Sequence, residues 1–343
     1  MGVAERCNAS GTICWQVSGL TGTNARVANP RSRQPRIQRR YSIGEWYGKD
    51  FFMVSPGERR AWAERELEVA GLTGIPCPFQ RNANCNKKGG VCSLRMFEKI
   101  GEGPVQPRGP LITTCPNRFL ERDEIFHWVS ETILGTAMPL VLSEVGFLDR
   151  LVPSSDETAD EEGEGDFIGR IDNVLVHPDR VPIQWCALEI QAVYFSGRSM
   201  RQEFVMLSRH EGEDFPFPTA HRRPDWRSSG PKRLLPQLQT KIPTIRTWGK
   251  KMAVVIDRGF FESLVGLERE RYLSNAEIVW FVVDYGSEYQ TWSLQRGDVA
   301  YTKLDASVKA LTGGTPLSKE RFEEELIKKI RSIYPSHDFS TRE

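Results

Sequence analysis

The sequence lacks any apolar run that approaches the ~20 residues needed for a membrane-spanning helix. It also lacks an opening pattern of positive residues followed by an apolar stretch, which marks a secretory leader, so we expect a cytoplasmic protein. Internal repeats and a Gly-rich P-loop are missing as well. These absences argue against membrane proteins, repeat arrays and P-loop nucleotide hydrolases.

The chain has almost no net charge: 46 Lys and Arg residues against 45 Asp and Glu residues leave +1. A strongly basic balance, the usual mark of nucleic-acid binding, is therefore missing from the total. The charges are nevertheless segregated, because residues 26–40 carry six arginines and no acid while residues 156–166 are strongly acidic. Separate basic and acidic segments cancel in the total, so the small net charge does not exclude nucleic-acid binding.

Histidine is scarce, and cysteine is limited to seven residues. The five histidines show no metal-pair spacing, and His177 is predicted to be a turn residue. An odd number of cysteines without a leader argues against a disulfide framework. Cys186 is predicted to be a core thiol, while Cys7 and Cys14 fit no complete site.

Four cysteines lie in a stretch rich in Gly, Pro and Asn, which is typical of a tetrahedral thiolate metal site. They are Cys77, Cys85, Cys92 and Cys115. Their spacing differs from that of a zinc ribbon, and four-sulfur ligation suits iron and zinc equally well. The alternatives are two structural disulfides or four unrelated buried thiols.

Two short segments predict a β-hairpin. Residues 169–176 and 185–191 are apolar and β-branched, and residues 177–182 have the composition of a turn. If the hairpin is symmetric about Val181 and Pro182, Val174 lies opposite Glu189 and Asp172 lies opposite Gln191. Alternation then places Asp172, Glu189 and Gln191 on one face.

These three side chains predict a metal-assisted hydrolytic site. Two carboxylates held close together are costly to keep ionised without a cation between them. Hard oxygen ligands suit Mg²⁺, which generates hydroxide from water and stabilises charge on a phosphodiester. Gln191 cannot accept a proton at neutral pH, but it can orient a water molecule. The alternative is an ordinary solvated hairpin face.

The order of these blocks resembles the NotI-type restriction endonucleases. The resemblance is firm at Cys77-Pro-Phe79, Cys115-Pro-Asn-Arg118 and Leu188-Glu-Ile-Gln191. It begins near Ile43 and continues more weakly to Trp248 or Val283, so it covers most of the chain. A Cys-Pro-Asn-Arg block paired with a Glu-Ile-Gln block is far more specific than either alone.

The resemblance implies an α/β (α+β) fold with a PD-(D/E)xK restriction-endonuclease-like core, in which a mixed sheet is flanked by helices, plus a small four-cysteine region. It implies Mg²⁺-dependent cleavage of double-stranded DNA by a homodimer that works beside a cognate methyltransferase. Asp172 and Glu189 become Mg²⁺ ligands, Gln191 replaces the usual lysine, and the four cysteines become iron ligands. The family's further upstream acid is expected among the carboxylates of residues 156–166, as Glu164 or another of them, and Asn173 departs from the expected aromatic residue.

Two alternatives remain at this stage. One is a DNA-binding protein on the same fold that does not cut or that serves repair, which the intact Asp172, Glu189 and Gln191 set disfavours. The other is an unrelated metal-dependent hydrolase of a small phosphoester. A neighbouring methyltransferase gene would favour restriction.

The organisation along the chain is predicted as three parts: a flexible basic extension over residues 1–40, a region with the cysteine site over residues 41–118, and a nuclease core over residues 119–343. The extension is either a DNA-touching arm or a simple tail. Apolar periodicity and caps predict further elements. Helices are predicted over 57–71, 119–135, 231–251 and 318–334, and strands over 139–146, 252–256 and 278–283. The helix over 231–251 is amphipathic, and its prolines are expected to kink or split it. The helix over 318–334 is expected to pack on the core.

Several charged residues are weaker candidates for the site. Glu131 and Glu144 are possible further metal ligands, with a solvated glutamate as the simpler interpretation. The loop over residues 198–230 is rich in arginines that suit guanine recognition or phosphate contact, namely Arg198, Arg201, Arg209, Arg222, Arg223 and Arg227. Phosphate neutralisation is predicted for Lys232, Arg233, Lys241 and Arg246.

Overall fold

A computed structural model describes residues 35–68, 74–149, 167–314 and 317–335. These ranges contain twelve strands. They are β1 (Ile37–Trp46), β2 (Lys49–Asp50), β3 (Val91–Ile100), β4 (Gln106–Thr113), β5 (Leu140–Asp149), β6 (Phe167–Val176), β7 (Trp185–Ile190), β8 (Phe195–Gly197), β9 (Arg222–Pro224), β10 (Met252–Asp257), β11 (Ile278–Glu288) and β12 (Thr291–Thr302).

The helices of the described ranges are mostly short. The α-helices are α1 (Pro56–Leu67), α2 (Glu124–Leu134), α3 (Arg201–Ser208), α4 (Trp226–Ser229), α5 (Leu235–Thr247), α6 (Arg258–Glu262), α7 (Leu304–Thr312) and α8 (Lys319–Ile333). Two 3₁₀ segments span Pro116–Asp123 and Leu273–Asn275, and a π-helical turn over Gly230–Leu234 leads into α5. No helix of the described residues is long and apolar enough to cross a membrane.

Ten strands form one mixed sheet, which confirms the predicted mixed α/β architecture. Its order is β4-β3-β1-β2-β12-β11-β10-β7-β6-β5, and β8 pairs with β9 separately. The centre is parallel, because β10 runs parallel to both β7 and β11. The flanking pairs are antiparallel, including the β6–β7 hairpin that carries the candidate site.

Helices cover both faces of the central strands, which explains their nearly continuous apolar sequences. On one face α5 packs Leu238, Ile242 and Ile245 against alternate residues such as Ala187 and Val254. On the other face α2 packs Ile125, Trp128 and Val129 into a cluster that includes Leu188 and Val255. Cys186 is fully buried in this second cluster, so its prediction as a core thiol is confirmed.

The N-terminal strands have a smaller core of their own. Trp46 stacks on Phe204 of α3 with ring centroids 5.3 Å apart, and Trp62 of α1 meets it edge-on at 5.4 Å. The first strand begins at Ile37, so the last four residues of the predicted extension belong to the sheet. The same sheet contains strands from both sides of residue 118. The arm or tail over residues 1–34 lies outside the described residues, as do Cys7 and Cys14.

The predicted helix over 119–135 begins later than its apolar pattern suggested. The segment Pro116–Asp123 is 3₁₀ in form, and Arg122 and Asp123 have φ values of 54° and 60°. The α-helix therefore starts at Glu124. Glu121 is held outside the helix because its carboxylate accepts hydrogen bonds from Arg118 Nη1 and from the Leu294 N–H.

Two predictions about helix packing are corrected. The helix α5 runs without interruption through Pro243, and Pro236 lies in its first turn, where no backbone N–H is needed. The C-terminal helix α8 forms with Ser318 as its cap, but none of its side chains is buried, so it does not pack on the core. An amphipathic pattern predicts a helix without predicting what its apolar face contacts.

The segment over 198–230 is also more structured than a loop. It contains α3, β9 and α4, and Arg222 is buried. The Arg222 guanidinium donates to Glu203 Oε2 at 2.8 Å and to the carbonyls of Arg198 and Ser199. Arg222 is therefore a structural ion-pair partner and not a base-reading residue.

Candidate active site

The β6–β7 hairpin has a register two residues away from the predicted one. Val174 pairs with Ala187, whereas the prediction paired it with Glu189. The turn is centred one residue earlier, because the His177 N–H donates to the Gln184 carbonyl at 2.9 Å. His177 is thus a turn residue, as predicted. Because the shift is an even number, the predicted face is kept, and the register extends to place Asp172 opposite Glu189.

Lys241 of α5 contacts both carboxylates. The sequence analysis did not predict this contact. Its Nζ atom donates to Glu189 Oε2 at 2.7 Å and to Asp172 Oδ1 at 3.2 Å. The third contact is to Gln237 Oε1 at 2.9 Å, one turn earlier on the same helix. An ammonium group has three N–H donors, and all three are occupied here by site oxygens.

The two carboxylates differ in exposure. The Asp172 side chain is 46% exposed, whereas that of Glu189 is only 2% exposed. Burial raises the pKa of Glu189 to about 7, with Lys241 lowering it and Asp172 raising it again. Glu189 therefore depends strongly on a nearby positive charge to remain ionised at neutral pH.

Gln191 lies just beyond the end of β7 and is also buried. Its backbone N–H donates to the Val255 carbonyl at 3.0 Å, which continues the β7–β10 ladder. Its side-chain amide donates from Nε2 to the Ala192 carbonyl at 2.5 Å. The amide is thereby held in place at the edge of the carboxylate pair.

A cavity of about 310 Å³ contains the three predicted residues together. Its other lining residues include Pro116, Gln237 and two basic side chains, Lys87 and Arg233. The Arg233 guanidinium lies 3.9 Å from the ring centroid of Tyr194. Lys87 lies between the second and third clustered cysteines, and its Nζ donates to the Thr114 carbonyl at 2.8 Å. The cavity thus combines acidic with basic side chains.

The four predicted cysteines come together from two folded segments beside this cavity. Cys77 and Cys85 are joined by a tight loop in which the Cys77 N–H donates to Ala83 O and the Cys85 N–H donates to Ile75 O. Cys92 and Cys115 are adjacent because the Cys115 N–H donates to Cys92 O at 3.2 Å. All four are free thiols, so the disulfide alternative is not realised in the described residues.

The four thiols also interact electrostatically. Burial raises the pKa of Cys85, Cys92 and Cys115, and neighbouring thiols raise each of them further. Within the described ranges, however, no group of three or more His, Cys, Asp or Glu side chains is arranged to hold a metal ion. The thiols are neighbours and have the donor chemistry of an iron or zinc site, although they do not surround a common point.

The Cys-Pro-Asn-Arg block connects the cysteine cluster to the cavity and to the core. Cys115 supplies a thiol and Pro116 lines the cavity. Asn117 Nδ2 donates to Gln80 Oε1 at 3.2 Å, which ties the first cysteine loop to the 3₁₀ segment. Arg118 is fully buried and pairs with Glu45. Each residue of the block therefore has a different physical task.

The three remaining candidate acids lie in different places. Glu131 lies on α2, against the opposite face of the sheet, and pairs with Arg296, which supports the solvated interpretation. Glu164 lies outside the described residues. Glu144 lies in β5 between Ser143, which pairs with Asn173, and Val145, which pairs with Ile171, so the register places it opposite Asp172. Its φ of 56° is unusual for a non-glycine strand residue and is typical of functional positions.

Lys241 had been predicted as a phosphate-neutralising residue, and that prediction is corrected: its side chain is buried and pairs with two acids. A sequence signal for this was present. Lys241 follows Leu238 by three residues and precedes Ile245 by four, which places it on the apolar stripe of α5. A lysine on a buried stripe requires an internal partner.

A mixed sheet flanked by helices, with one acid from each of two neighbouring strands beside a cavity of acidic and basic side chains, is consistent with a nuclease-like α+β core. The family model for the restriction endonuclease NotI matches residues 67–295, which is more than half of the 343-residue chain. The chain therefore belongs to the NotI restriction endonuclease family, so it is a restriction endonuclease with DNA as its substrate. A search of curated proteins finds no match.

Proposed function

We propose that this protein is a Mg²⁺-dependent type II restriction endonuclease that cuts both strands of a palindromic site as a homodimer. The observation that carries the proposal is the convergence of Asp172 and Glu189 on one cationic group, the Lys241 ammonium, at the wall of a cavity that Lys87 and Arg233 also line. A symmetric dimer would bring one such site to each strand. The protein would belong to a restriction-modification system and work beside a cognate methyltransferase.

The residues present fit a Mg²⁺ site. Mg²⁺ is usually bound by one or two carboxylates together with water and substrate phosphate oxygens. Asp172 and Glu189 would supply the carboxylates, and the bound ion would supply an activated water and charge stabilisation at the phosphodiester. Glu144 is our assignment for the upstream acid in place of Glu164, because its strand register places it opposite Asp172.

The protein's own side chains would divide the remaining work. Gln191 orients the attacking water through its neutral amide, which neither gains nor loses a proton at neutral pH. Lys87 and Arg233 line the same cavity and would bind the phosphates on either side of the scissile bond. The exposed arginines of residues 198–227 remain candidates for guanine contacts in the major groove.

Cleavage of a large mixed DNA tests the proposal directly. We expect the purified protein to yield discrete fragments with Mg²⁺ and intact DNA with a chelator, read on an agarose gel. Discrete bands are required, because a contaminating non-specific nuclease gives a smear. DNA that is retarded but uncut under both conditions would support a non-cleaving DNA-binding protein and contradict our proposal.

The cysteine cluster is proposed to bind one iron or zinc ion in a structural role. Full thiolate ligation leaves no open position for substrate, and metal binding would order a loop-rich segment. We expect elemental analysis to find about one metal ion per chain. Cys115→Ser is expected to lose the metal, whereas Cys186→Ala, a buried thiol outside the cluster, is expected to keep it. A metal-free wild type, or a fully loaded Cys115→Ser protein, would contradict this role.

A further inference from the structure

The ammonium of Lys241 stands where a cation would be expected between the two site acids. Its three hydrogen-bond acceptors are Asp172 Oδ1, Glu189 Oε2 and Gln237 Oε1, at 3.2, 2.7 and 2.9 Å. All three are hard oxygens, the ligand type that divalent cations such as Mg²⁺ and Ca²⁺ prefer. The ammonium is therefore bound by the same oxygens that a metal ion would use as ligands.

The position of Lys241 is fixed by the fold. Its neighbours Leu238, Ile242 and Ile245 are each at most 1% exposed and pack on the sheet, so α5 cannot rotate without breaking this core. The Lys241 side chain itself is 7% exposed. Its charge therefore lies directly against the two carboxylates.

Charge balance explains why such a residue is needed. Asp172 and Glu189 are both acids, and Gln191 carries no charge. Glu189 is 2% exposed, and a buried carboxylate without a cationic partner is strongly disfavoured. Of the side chains that hydrogen-bond these acids in the described residues, Lys241 supplies the positive charge.

We propose that Lys241 is a positioning residue of the active site that holds Asp172 and Glu189 in place when no metal is bound and competes with the divalent cation for them. The inference rests on the proposed nuclease function. In the metal-free protein the lysine prevents the two acids from separating. With a cation bound, Asp172 and Glu189 would hold the ion, and the ammonium would keep only part of its contact with them.

The decisive variant is Lys241→Met, which keeps the length and apolar stem of the side chain and removes its charge. The ammonium occupies oxygens that the cation needs and repels it, so at a pH where both acids are ionised its removal should tighten Ca²⁺ binding about tenfold or more. Cleavage with Mg²⁺ should slow about 10²-fold or more, because a preorganised charge is lost. Tighter binding combined with slower cleavage is a result that a purely structural lysine does not produce.

Ca²⁺ binding is measured by calorimetry at about pH 8, without DNA, so that the readout is independent of turnover. Thermal unfolding gives a second measurement: Ca²⁺ should raise the melting temperature of Lys241→Met more than that of the wild type. Lys241→Arg should retain the charge and show weaker forms of both effects. Lys309→Met, which removes an exposed lysine paired with Glu268, is the matched control and should behave as the wild type.

The outcomes separate this inference from the proposed function. Equal or weaker Ca²⁺ binding by folded Lys241→Met, or cleavage at the wild-type rate, would overturn the role of Lys241 even if the wild type cuts DNA. A wild type that cuts nothing while Lys241→Met binds Ca²⁺ more tightly would overturn the nuclease proposal alone. If Lys241→Met does not fold, Gln237→Leu removes one acceptor of the ammonium and should change both quantities in the same directions, by smaller factors.

Discussion

Replacing Glu189 by glutamine is expected to abolish DNA cleavage while DNA binding survives. The carboxylate of Glu189 is buried against Lys241, and the substitution keeps its size while removing its charge. Loss of a group on which the reaction depends typically costs about 10³-fold or more in rate. Binding to DNA should be equal or slightly tighter, because a negative charge near the phosphates has been removed.

Single-turnover cleavage with Mg²⁺ and gel retardation with chelator measure the two properties separately. Glu268→Gln is the matched control: it removes the same charge from an exposed glutamate paired with Lys309, and it should cut at the wild-type rate. Thermal unfolding checks that both variants are folded. Unimpaired cleavage by Glu189→Gln would remove this residue from the active site. Joint loss of cleavage, DNA binding and folding would instead assign it a structural role.

The proximity of the three candidate side chains could be predicted because they are close together in the sequence. Asp172 and Glu189 lie on two strands joined by a short turn, Gln191 directly follows the second strand, and strand alternation puts the three side chains on one face. The register was wrong by two residues, since the composition of a turn does not fix which residue lies at its centre. An even error leaves every side chain on its predicted face, so Asp172 and Glu189 still lie on the same side of the sheet.

Contacts between distant segments could not be predicted in the same way. Lys241 meets Glu189 across 52 residues, and Arg118 meets Trp292 across 174. Helical periodicity placed Lys241 on the apolar stripe of α5, which indicates an internal partner. It does not indicate which distant residue that partner is. The start of α2 was misplaced because a buried ion pair, invisible in local sequence, holds Glu121 outside the helix.

Arg118 shows how a motif residue serves stability instead of chemistry. It is fully buried, and its guanidinium donates to Glu45, Glu121 and the Trp292 carbonyl at 2.7, 2.6 and 2.8 Å. The rings of Phe79 and Tyr285 lie 4.3 and 4.5 Å from it. It therefore links the first cysteine loop, β1 and the β11–β12 hairpin through one side chain.

Arg118→Met is expected to destabilise the protein by about 3–5 kcal/mol, because it leaves the charge of Glu45 buried without a partner. Urea unfolding measures this, with Arg296→Met as the control: Arg296 also pairs with two acids, but it is exposed, so about 0–1 kcal/mol is expected. Adding Glu45→Gln to Arg118→Met should restore part of the loss, since the unpaired charge is then gone. A loss no larger than that of Arg296→Met would contradict this account.

The pH dependence of the stability lost in Arg118→Met provides the sharper test. Burial already raises the pKa of Glu45 to about 7, against the lowering effect of Arg118, so the pKa must rise further in Arg118→Met. An acid whose pKa is higher in the folded than in the unfolded state lowers the free energy of unfolding once the pH exceeds the unfolded pKa. This loss of stability stops growing once the pH has passed the folded pKa. The difference between wild type and Arg118→Met should therefore be larger at about pH 8 than at about pH 5, where Glu45 is protonated in the folded state of both proteins. A pH-independent difference would mean that lost packing between the two rings, and not the isolated charge, sets the cost.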